Sequence, residues 1–242
     1  MNSQPWVVLC DFDGTIVTTD TAELVLRKFA PKSWERIEKQ FLEGKITLQE
    51  CLIREYSLVK GSMTEIIAAV GNVTKVRPNF RELVLLCKER EVPLVVVSAG
   101  IDFVVRHVLE RSSPIGLKTC VPRSRLTSNG IEVEFPKLLD DKPRNFKEDL
   151  ASYYKRKGKR VVYIGDGTAD LPPAKHADIV FSVEGSRLSS LCKRENLSHV
   201  DFRDFAKVVN GLKKRLKGTS AAFSESTNLH GGLRNMKVLD DR

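Results

Sequence analysis

The chain has 242 residues, of which 41% are hydrophobic and 29% charged, so it can form one large domain or one domain with an insertion. Its five cysteines are scattered and lack C-x-x-C spacing, which argues against a disulfide framework or a zinc ribbon and favours the reducing cytoplasm. The net charge of +9 is not accompanied by a nucleic-acid-binding motif, so a nucleic-acid partner is not expected. The sequence shows neither a run of about 20 apolar residues nor a secretory leader, so membrane insertion is not expected either.

The first third of the chain predicts one strand followed by a block of helices. Trp6–Cys10 is short and apolar, as is typical of a buried strand. From Thr21 to Val73, apolar residues recur three and four positions apart, which predicts three or four short helices. The breaks between these helices are expected at Pro31, Gly44, Gly61 and Gly71.

The rest of the chain alternates between helical and strand patterns. Helices are expected at Asn79–Arg90, Ile101–Arg111, Asn145–Lys157, Ala169–His176 and Phe202–Leu216. Strands are expected at Pro93–Val97, Ile115–Val121, Arg160–Ile164 and Ile179–Phe181, and a hairpin at Ser124–Phe135. After Lys217 the periodicity is lost, and we interpret Gly218–Arg242 as a mobile tail.

This alternation predicts an α/β fold, a Rossmann-like parallel sheet with helices on both faces. Residues 1–20 and 74–217 would form this core domain. The helical block at 21–73 would then be an inserted domain beside the crevice at the strand ends, where such folds bind ligands.

Polar residues follow three of the predicted strands directly. Asp11 and Asp13 follow VVLC, Ser98 follows VVV, and Asp166 follows VVYIG with Asp170 four residues later. The carboxyl ends of parallel strands meet at one edge, so these side chains should lie together. Two carboxylates 4 Å apart repel by about 4 kcal/mol at an effective dielectric constant near 20, so a cation must offset them. Oxygen ligands of this kind favour Mg2+.

The two acids of the first motif are expected to differ in role. On a continuous strand Asp11 and Asp13 would point the same way, but Gly14 lets the chain turn immediately after them. One acid can then stay ionised beside the cation as a nucleophile, while the other holds a proton for the leaving group.

The motifs DFDGT, VVVSAG and GDGTAD, in this order and with a lysine before the last one, resemble the phosphatase branch of the haloacid dehalogenase superfamily. The resemblance covers roughly residues 6 to 215 and implies that the inserted helices form a cap. Within the superfamily the chain is similar to phosphoserine phosphatases. It is more similar to the methionine-salvage phosphatases of 2-hydroxy-3-keto-5-methylthiopentenyl-1-phosphate, through KFAPKSW, VVVSAGIDF, YIGDGTADLPPAKHADIVF and CKRENLSHVDFRDF.

The resemblance implies a role for each acid. Asp11 would be the nucleophile that becomes an aspartyl phosphate. Asp13 would protonate the leaving oxygen and later activate water. Asp11, Asp166 and the backbone carbonyl of Asp13 would bind Mg2+, with Asp170 supporting the metal through water.

The resemblance also implies a phosphate-binding set. Ser98 and the backbone amides of Ala99 and Gly100, at a helix start, would hold phosphate oxygens. A lysine would neutralise the phosphoryl charge. We assign this role to Lys147, at the start of the helix before GDGTAD, with Lys142 as the alternative.

Several positions depart from the family pattern. Ala169 stands where the family's metal loop often has asparagine. Asp20 fits the position of the acid that binds the amino-acid part of phosphoserine in phosphoserine phosphatases, although it could equally cap a helix. Glu55 stands at the position where those enzymes have a substrate-binding arginine. Arg54, the residue beside it, is therefore the candidate substrate contact. The cysteine-rich insertion of some methionine-salvage relatives is missing between Thr119 and Lys142.

The sequence therefore predicts a cytoplasmic, Mg2+-dependent phosphatase of a small phosphorylated metabolite. A phosphotransferase using the same aspartyl phosphate remains an alternative, as do a non-enzymatic phosphoacceptor and a basic nucleic-acid-binding protein. The acid at Asp13 and the helical insertion speak against a phosphoacceptor domain, and Asp13 would have no role in a dehalogenase proper. Neither the phosphate ester nor the oligomeric state can be derived from the sequence.

Overall fold

The structure, a computed structural model, describes residues 5–71, 73–136 and 145–216. The predicted tail at Gly218–Arg242 and the alternative lysine Lys142 lie outside the described residues. Among the described residues, the helices are all too short or too polar to cross a lipid bilayer.

The strands of the described residues form one parallel sheet and one hairpin. The strands are β1 (Trp6–Cys10), β2 (Leu94–Val97), β3 (Lys118–Cys120), β4 (Arg123–Thr127), β5 (Gly130–Glu134), β6 (Arg160–Gly165), β7 (Ile179–Val183) and β8 (Val200–Phe202). Six of them pair in parallel in the order β3-β2-β1-β6-β7-β8, and β4 pairs antiparallel with β5. The predicted α/β class with a parallel sheet is confirmed.

Ten α-helices connect these strands in the described part of the chain. They are α1 (Thr21–Phe29), α2 (Trp34–Leu42), α3 (Leu48–Tyr56), α4 (Met63–Gly71), α5 (Phe80–Glu89), α6 (Asp102–Ser112), α7 (Phe146–Arg156), α8 (Leu171–Lys175), α9 (Arg187–Arg194) and α10 (Phe205–Arg215). The first four follow one another directly after β1, as the helical pattern between Thr21 and Val73 predicts.

The central strand β1 is buried along its whole length, and its side chains alternate between two cores. Val8 and Cys10 pack with residues of α5 and α10, whereas Val7 and Leu9 pack with residues of α7 and α9. Each fully buried valine or leucine contributes about 1.5–3 kcal/mol relative to exposure. Because both faces of the strand are covered, its sequence is a continuous apolar run rather than an alternating one.

The sheet register brings the ends of three strands together. Cys10, the last residue of β1, lies opposite Val96 of β2 and Ile164 of β6. The Asp11 amide donates to the Ile164 carbonyl at 2.8 Å. The residues that follow these three strands therefore share one edge of the sheet.

The hairpin packs against the helices that follow β1. The Lys60 ammonium group donates to the Ser128 carbonyl in the hairpin turn at 3.3 Å. Gly130 has φ +124°, and a Cβ there would lie 2.1 Å from the Ser57 carbonyl oxygen just after α3. Glycine is therefore required at this contact.

The C-terminal part differs from the prediction at β8 and α9. Val200–Phe202 pairs with β7, so the last helix begins at Phe205 rather than Phe202. Phe202 and Phe205 pack with ring centroids 5.3 Å apart. They are three residues apart in the sequence, which is also the separation of apolar residues on one face of a helix, so the prediction started the helix too early. The polar eight-residue helix α9 was not predicted because only Leu188, Leu191 and Cys192 supply an apolar face.

Candidate active site

The loop after β1 is shaped by a glycine and an arginine. Gly14 has φ +69°, a conformation that glycine adopts without strain, and it turns the chain after Asp13. The Arg77 guanidinium donates to the backbone carbonyl of Gly14 at 2.5 Å and to that of Thr15 at 2.8 Å. These bonds fix the backbone of the turn that follows Asp13.

Lys147 bridges two of the predicted acids. Its ammonium nitrogen lies 2.6 Å from Asp11 Oδ1 and 2.8 Å from Asp170 Oδ1. All three side chains are buried, which raises the energy of an ion without a partner. Asp11 and Asp170 offset the burial of Lys147 and hold the pKa of its ammonium group above the usual value.

Among the described residues, four donors hold Asp170. Besides Lys147, the Tyr163 hydroxyl donates to Oδ1 at 2.7 Å, and the amides of Asp166 and Gly167 donate to Oδ2 at 3.0 and 2.9 Å. Gly165 leaves room for this carboxylate, because a Cβ there would lie 2.6 Å from Oδ2. Asp170 is thus a fixed anchor for Lys147.

Asp11, Asp166 and Asp170 form an oxygen-rich cluster in which ligand atoms lie within 4.8 Å of one another. Asp166 also accepts a hydrogen bond from the Thr15 hydroxyl at 2.9 Å. Burial and the neighbouring carboxylates raise the pKa of Asp11 to about 6 and that of Asp166 to about 9. The cluster carries three carboxyl groups and one ammonium group, so a divalent cation would balance its remaining negative charge. The carboxylate oxygens are also the ligand atoms that Mg2+ prefers.

Asp13 occupies a different environment from Asp11. Its Oδ1 accepts hydrogen bonds from the Thr21 amide at 2.7 Å and the Thr21 hydroxyl at 2.5 Å. Burial, followed by the charge of Asp20, raises the pKa of Asp13 to about 8. Asp13 is half-buried as a residue, whereas Asp11 is buried.

The Ser98–Gly100 segment lies beside Asp13. Ser98 is buried, and its hydroxyl accepts a hydrogen bond from the Gly100 amide at 2.9 Å. A Cβ at Gly100 would lie 2.9 Å from Asp13 Oδ2, which places the segment against the first motif. The Tyr56 hydroxyl of α3 donates to the Ala99 carbonyl at 2.8 Å and ties the inserted helices to this segment.

The structure thus brings together eight of the predicted site residues: Asp11, Asp13, Ser98, Ala99, Gly100, Lys147, Asp166 and Asp170. Asp20 is exposed, and its carboxylate accepts a hydrogen bond from the Glu23 amide at 2.8 Å and caps α1. Arg54 is not brought to the cluster, because it is exposed and donates to the Gln40 side chain at 3.3 Å. Its neighbour Glu55 is buried instead.

Sequence reasoning missed several residues that position this site. Asn145 accepts a hydrogen bond from the Lys147 amide at 3.0 Å and donates to the Ala169 carbonyl at 2.8 Å, which joins α7 to the GDGTAD loop. Thr15, Thr21 and Tyr163 each hold a carboxylate. Asn145 could have been found as a helix N-cap, but a hydroxyl next to a motif carries no signal of its partner in the sequence.

A family model described as haloacid dehalogenase-like hydrolase matches residues 8–175 of the chain. The chain belongs to this family. The match spans the first acid motif, the Ser98 segment, Lys147 and the GDGTAD loop, so the predicted family is confirmed.

Two relatives of this haloacid dehalogenase-like hydrolase have been named 2-hydroxy-3-keto-5-methylthiopentenyl-1-phosphate phosphatase. The protein from Geobacillus kaustophilus is 34% identical over 86% of this chain and 96% of its own length, and the one from Geobacillus thermodenitrificans is 32% identical over the same shares. A phospho-aspartyl intermediate analogue of phosphoserine phosphatase has the same fold, with a TM-score of 0.66 at 22% identity over 86% of this chain and 99% of that one. These comparisons confirm the expected enzyme class, a phosphatase.

Proposed function

We propose that this phosphatase is Mg2+-dependent and hydrolyses a phosphate monoester of a small metabolite through a phosphorylated Asp11. The observation that carries the proposal is the Lys147 ammonium group between Asp11 and Asp170, in the same cluster as Asp166. This arrangement presents a carboxylate nucleophile and a fixed positive charge at one point. A transferring phosphoryl group needs both.

In the first step an oxygen of Asp11 forms a bond to phosphorus while the bond from phosphorus to the ester oxygen breaks. Asp13 gives its proton to the departing alcohol. Burial and the charge of Asp20 support this role, because they raise the pKa of Asp13 to about 8, and an acid must keep its proton while the nucleophile is ionised.

In the second step the Asp13 carboxylate takes a proton from water as the water oxygen attacks phosphorus. The bond between phosphorus and Asp11 then breaks, which releases inorganic phosphate and restores the nucleophile. Ser98, with the amides of Ala99 and Gly100, would hold the phosphoryl oxygens, and Lys147 would offset their negative charge.

Asp11, Asp166 and the backbone carbonyl of Asp13 would hold Mg2+. Asp170 would support the site from outside, since hydrogen bonds already engage both of its oxygens. The bound cation would neutralise the clustered carboxylates and polarise the phosphoryl group.

We further propose that residues 21–73 act as a cap on a core formed by 1–20 and 74–217, with 218–242 as a tail. The bond between Tyr56 and Ala99 supports contact between cap and phosphate segment. A cytoplasmic location is supported by five cysteines that are all buried and free. The relatives suggest a substrate of about the size of 2-hydroxy-3-keto-5-methylthiopentenyl-1-phosphate or phosphoserine.

The test is hydrolysis of p-nitrophenyl phosphate with and without Mg2+. We expect turnover that EDTA abolishes and Mg2+ restores. Asp11→Asn should abolish it, whereas Glu134→Gln, an exposed acid of the hairpin, should not change it. A burst of labelled protein from a phosphorus-labelled ester, cleaved by hydroxylamine, would identify the acyl phosphate. Unchanged turnover in Asp11→Asn would refute the assigned nucleophile.

A further inference from the structure

Tyr56, the last residue of α3, has a buried hydroxyl that the proposed reaction does not use. Its side chain is fully buried in the same core as Val97 and Ile101, the residues on either side of the Ser98–Gly100 segment. A hydroxyl in such a place is costly unless it is hydrogen-bonded, and here it donates to the Ala99 carbonyl at 2.8 Å. The peptide group that it holds therefore accounts for a polar group at this position.

The same peptide group continues to Ser98. The Ala99 carbonyl and the Gly100 amide belong to one planar peptide unit, and in a trans unit the C=O and the N–H point in opposite directions. With the carbonyl directed at Tyr56, the amide is directed away from it and donates to Ser98 Oγ at 2.9 Å. Tyr56 thus fixes the orientation of the donor that Ser98 accepts.

The bond from Gly100 determines what the Ser98 hydroxyl can offer to a ligand. A hydroxyl has one hydrogen to donate and two lone pairs that accept. The Gly100 amide occupies a lone pair, and the hydrogen has no acceptor among the described residues. A Cβ at Gly100 would lie 3.1 Å from Ser98 Oγ and 2.9 Å from Asp13 Oδ2, so this free donor lies beside the first acid motif.

We propose that Tyr56 is a positioning residue for the phosphoryl group, and that it acts through the Ala99–Gly100 peptide and Ser98. The inference rests on the proposed phosphatase function and adds a residue of the inserted helices to its phosphate-binding set. Without the Tyr56 hydroxyl, the peptide unit loses the bond that sets its orientation. A rotated unit would turn a carbonyl oxygen instead of a donor toward Ser98, and the phosphoryl oxygens need donors that are already in place.

The test measures the binding of inorganic phosphate in the presence of Mg2+ by phosphorus NMR, which needs no turnover. Tyr56→Phe keeps the buried ring and removes only the hydroxyl. We expect the Kd for phosphate to rise roughly tenfold, the loss typical of one hydrogen bond. KM for p-nitrophenyl phosphate should rise by a similar factor, with a smaller fall in kcat.

Two further variants show whether the Tyr56 hydroxyl acts through Ser98. Ser98→Ala alone should weaken phosphate binding, and adding Tyr56→Phe to it should change Kd by less than about twofold, because the group that transmits the effect is already gone. Lys60→Met is the matched control. It removes another hydrogen bond of the inserted helices, from Lys60 to the Ser128 carbonyl at 3.3 Å, and should leave phosphate binding unchanged.

The outcomes separate the two proposals. If the wild type hydrolyses p-nitrophenyl phosphate but Tyr56→Phe binds phosphate as tightly as the wild type, the positioning role is overturned and the phosphatase stands. Equal effects of Tyr56→Phe with and without the Ser98 hydroxyl also overturn it. An equal loss in Lys60→Met does the same, since it would show a general loosening of the inserted helices. If the wild type hydrolyses no ester, the proposed function itself fails. Thermal melts confirm that each variant is folded.

Discussion

Gly14 lies against the Asp166 carboxylate so closely that a Cβ atom at Gly14 would fall 2.2 Å from Oδ2. The glycine therefore serves two purposes, since its φ of +69° also turns the chain after the first acid motif. The two acid motifs, more than 150 residues apart in the chain, pack against each other through a position that tolerates no side chain.

Gly14→Ala should lower kcat roughly a hundredfold or more, because the methyl group displaces a carboxylate of the proposed metal site. Gly44→Ala is the matched control: Gly44 has φ +71° with nothing within 4 Å of a Cβ, so alanine there adds only backbone strain of about 1 kcal/mol. Initial rates and melting temperatures of both variants check this prediction. A wild-type rate in Gly14→Ala would contradict it.

Lys147→Met should reduce both turnover and stability. The change leaves Asp11 and Asp170 buried without their common cation, which typically costs about 3–5 kcal/mol. Loss of the charge at the phosphoryl group should lower kcat roughly a hundredfold or more.

Lys155→Met on the same helix is the control for Lys147→Met. Lys155 forms a more exposed ion pair with Asp178 at 2.9 Å, and such pairs contribute about 0–1 kcal/mol. Urea unfolding and steady-state rates of the two variants should differ clearly. Equal effects would show that Lys147 is an ordinary structural lysine.

Tyr163→Phe tests whether Asp170 must be anchored. The variant removes one of the two donors to Oδ1 and leaves Lys147 in place, which should destabilise the fold by about 1–3 kcal/mol. We expect kcat to fall with little change in KM, because the hydroxyl contacts Asp170 rather than substrate. Tyr153→Phe, whose ring packs on Tyr154 near the surface, should change neither constant.

The stability of the protein should depend on pH through Glu55. Burial, with the charges of Glu38 and Asp20, raises its folded-state pKa to about 7 from the ordinary 4.5, while the Cys51 thiol donates a hydrogen bond that opposes the rise. The folded state thus binds the proton more tightly than the unfolded state. This contribution to stability is present below pH 4.5 and is lost as pH rises through about 7.

Glu55→Gln should therefore be more stable than the wild type at pH 8, by up to about 3 kcal/mol, and nearly equal to it at pH 4.5. Denaturant unfolding of both proteins at the two pH values, without substrate, measures the difference. Glu35→Gln should show no such trend. A difference that does not grow with pH would mean that Glu55 is solvated in the folded protein.

The sequence determined the main elements of this protein and the motifs that carry the candidate site. Continuous apolar runs such as Trp6–Cys10 predict strands covered on both faces, and acids directly after such runs can only lie at the ends of those strands. The resemblance to the family implies a phosphate-binding lysine, and Lys147 was chosen as the lysine at the start of the helix before GDGTAD.

Only the tertiary structure decided which side chains hold these acids and what surrounds them. Thr21, Asn145 and Tyr163 are assigned to their partners by the packing of separate elements, a relationship that no local spacing encodes. The same reason explains why the sequence did not show that Glu55 is buried and Arg54 is exposed. Adjacent residues on a helix point about 100° apart, so which of them faces the site depends on how α3 docks, and here the acid is buried and the arginine is exposed.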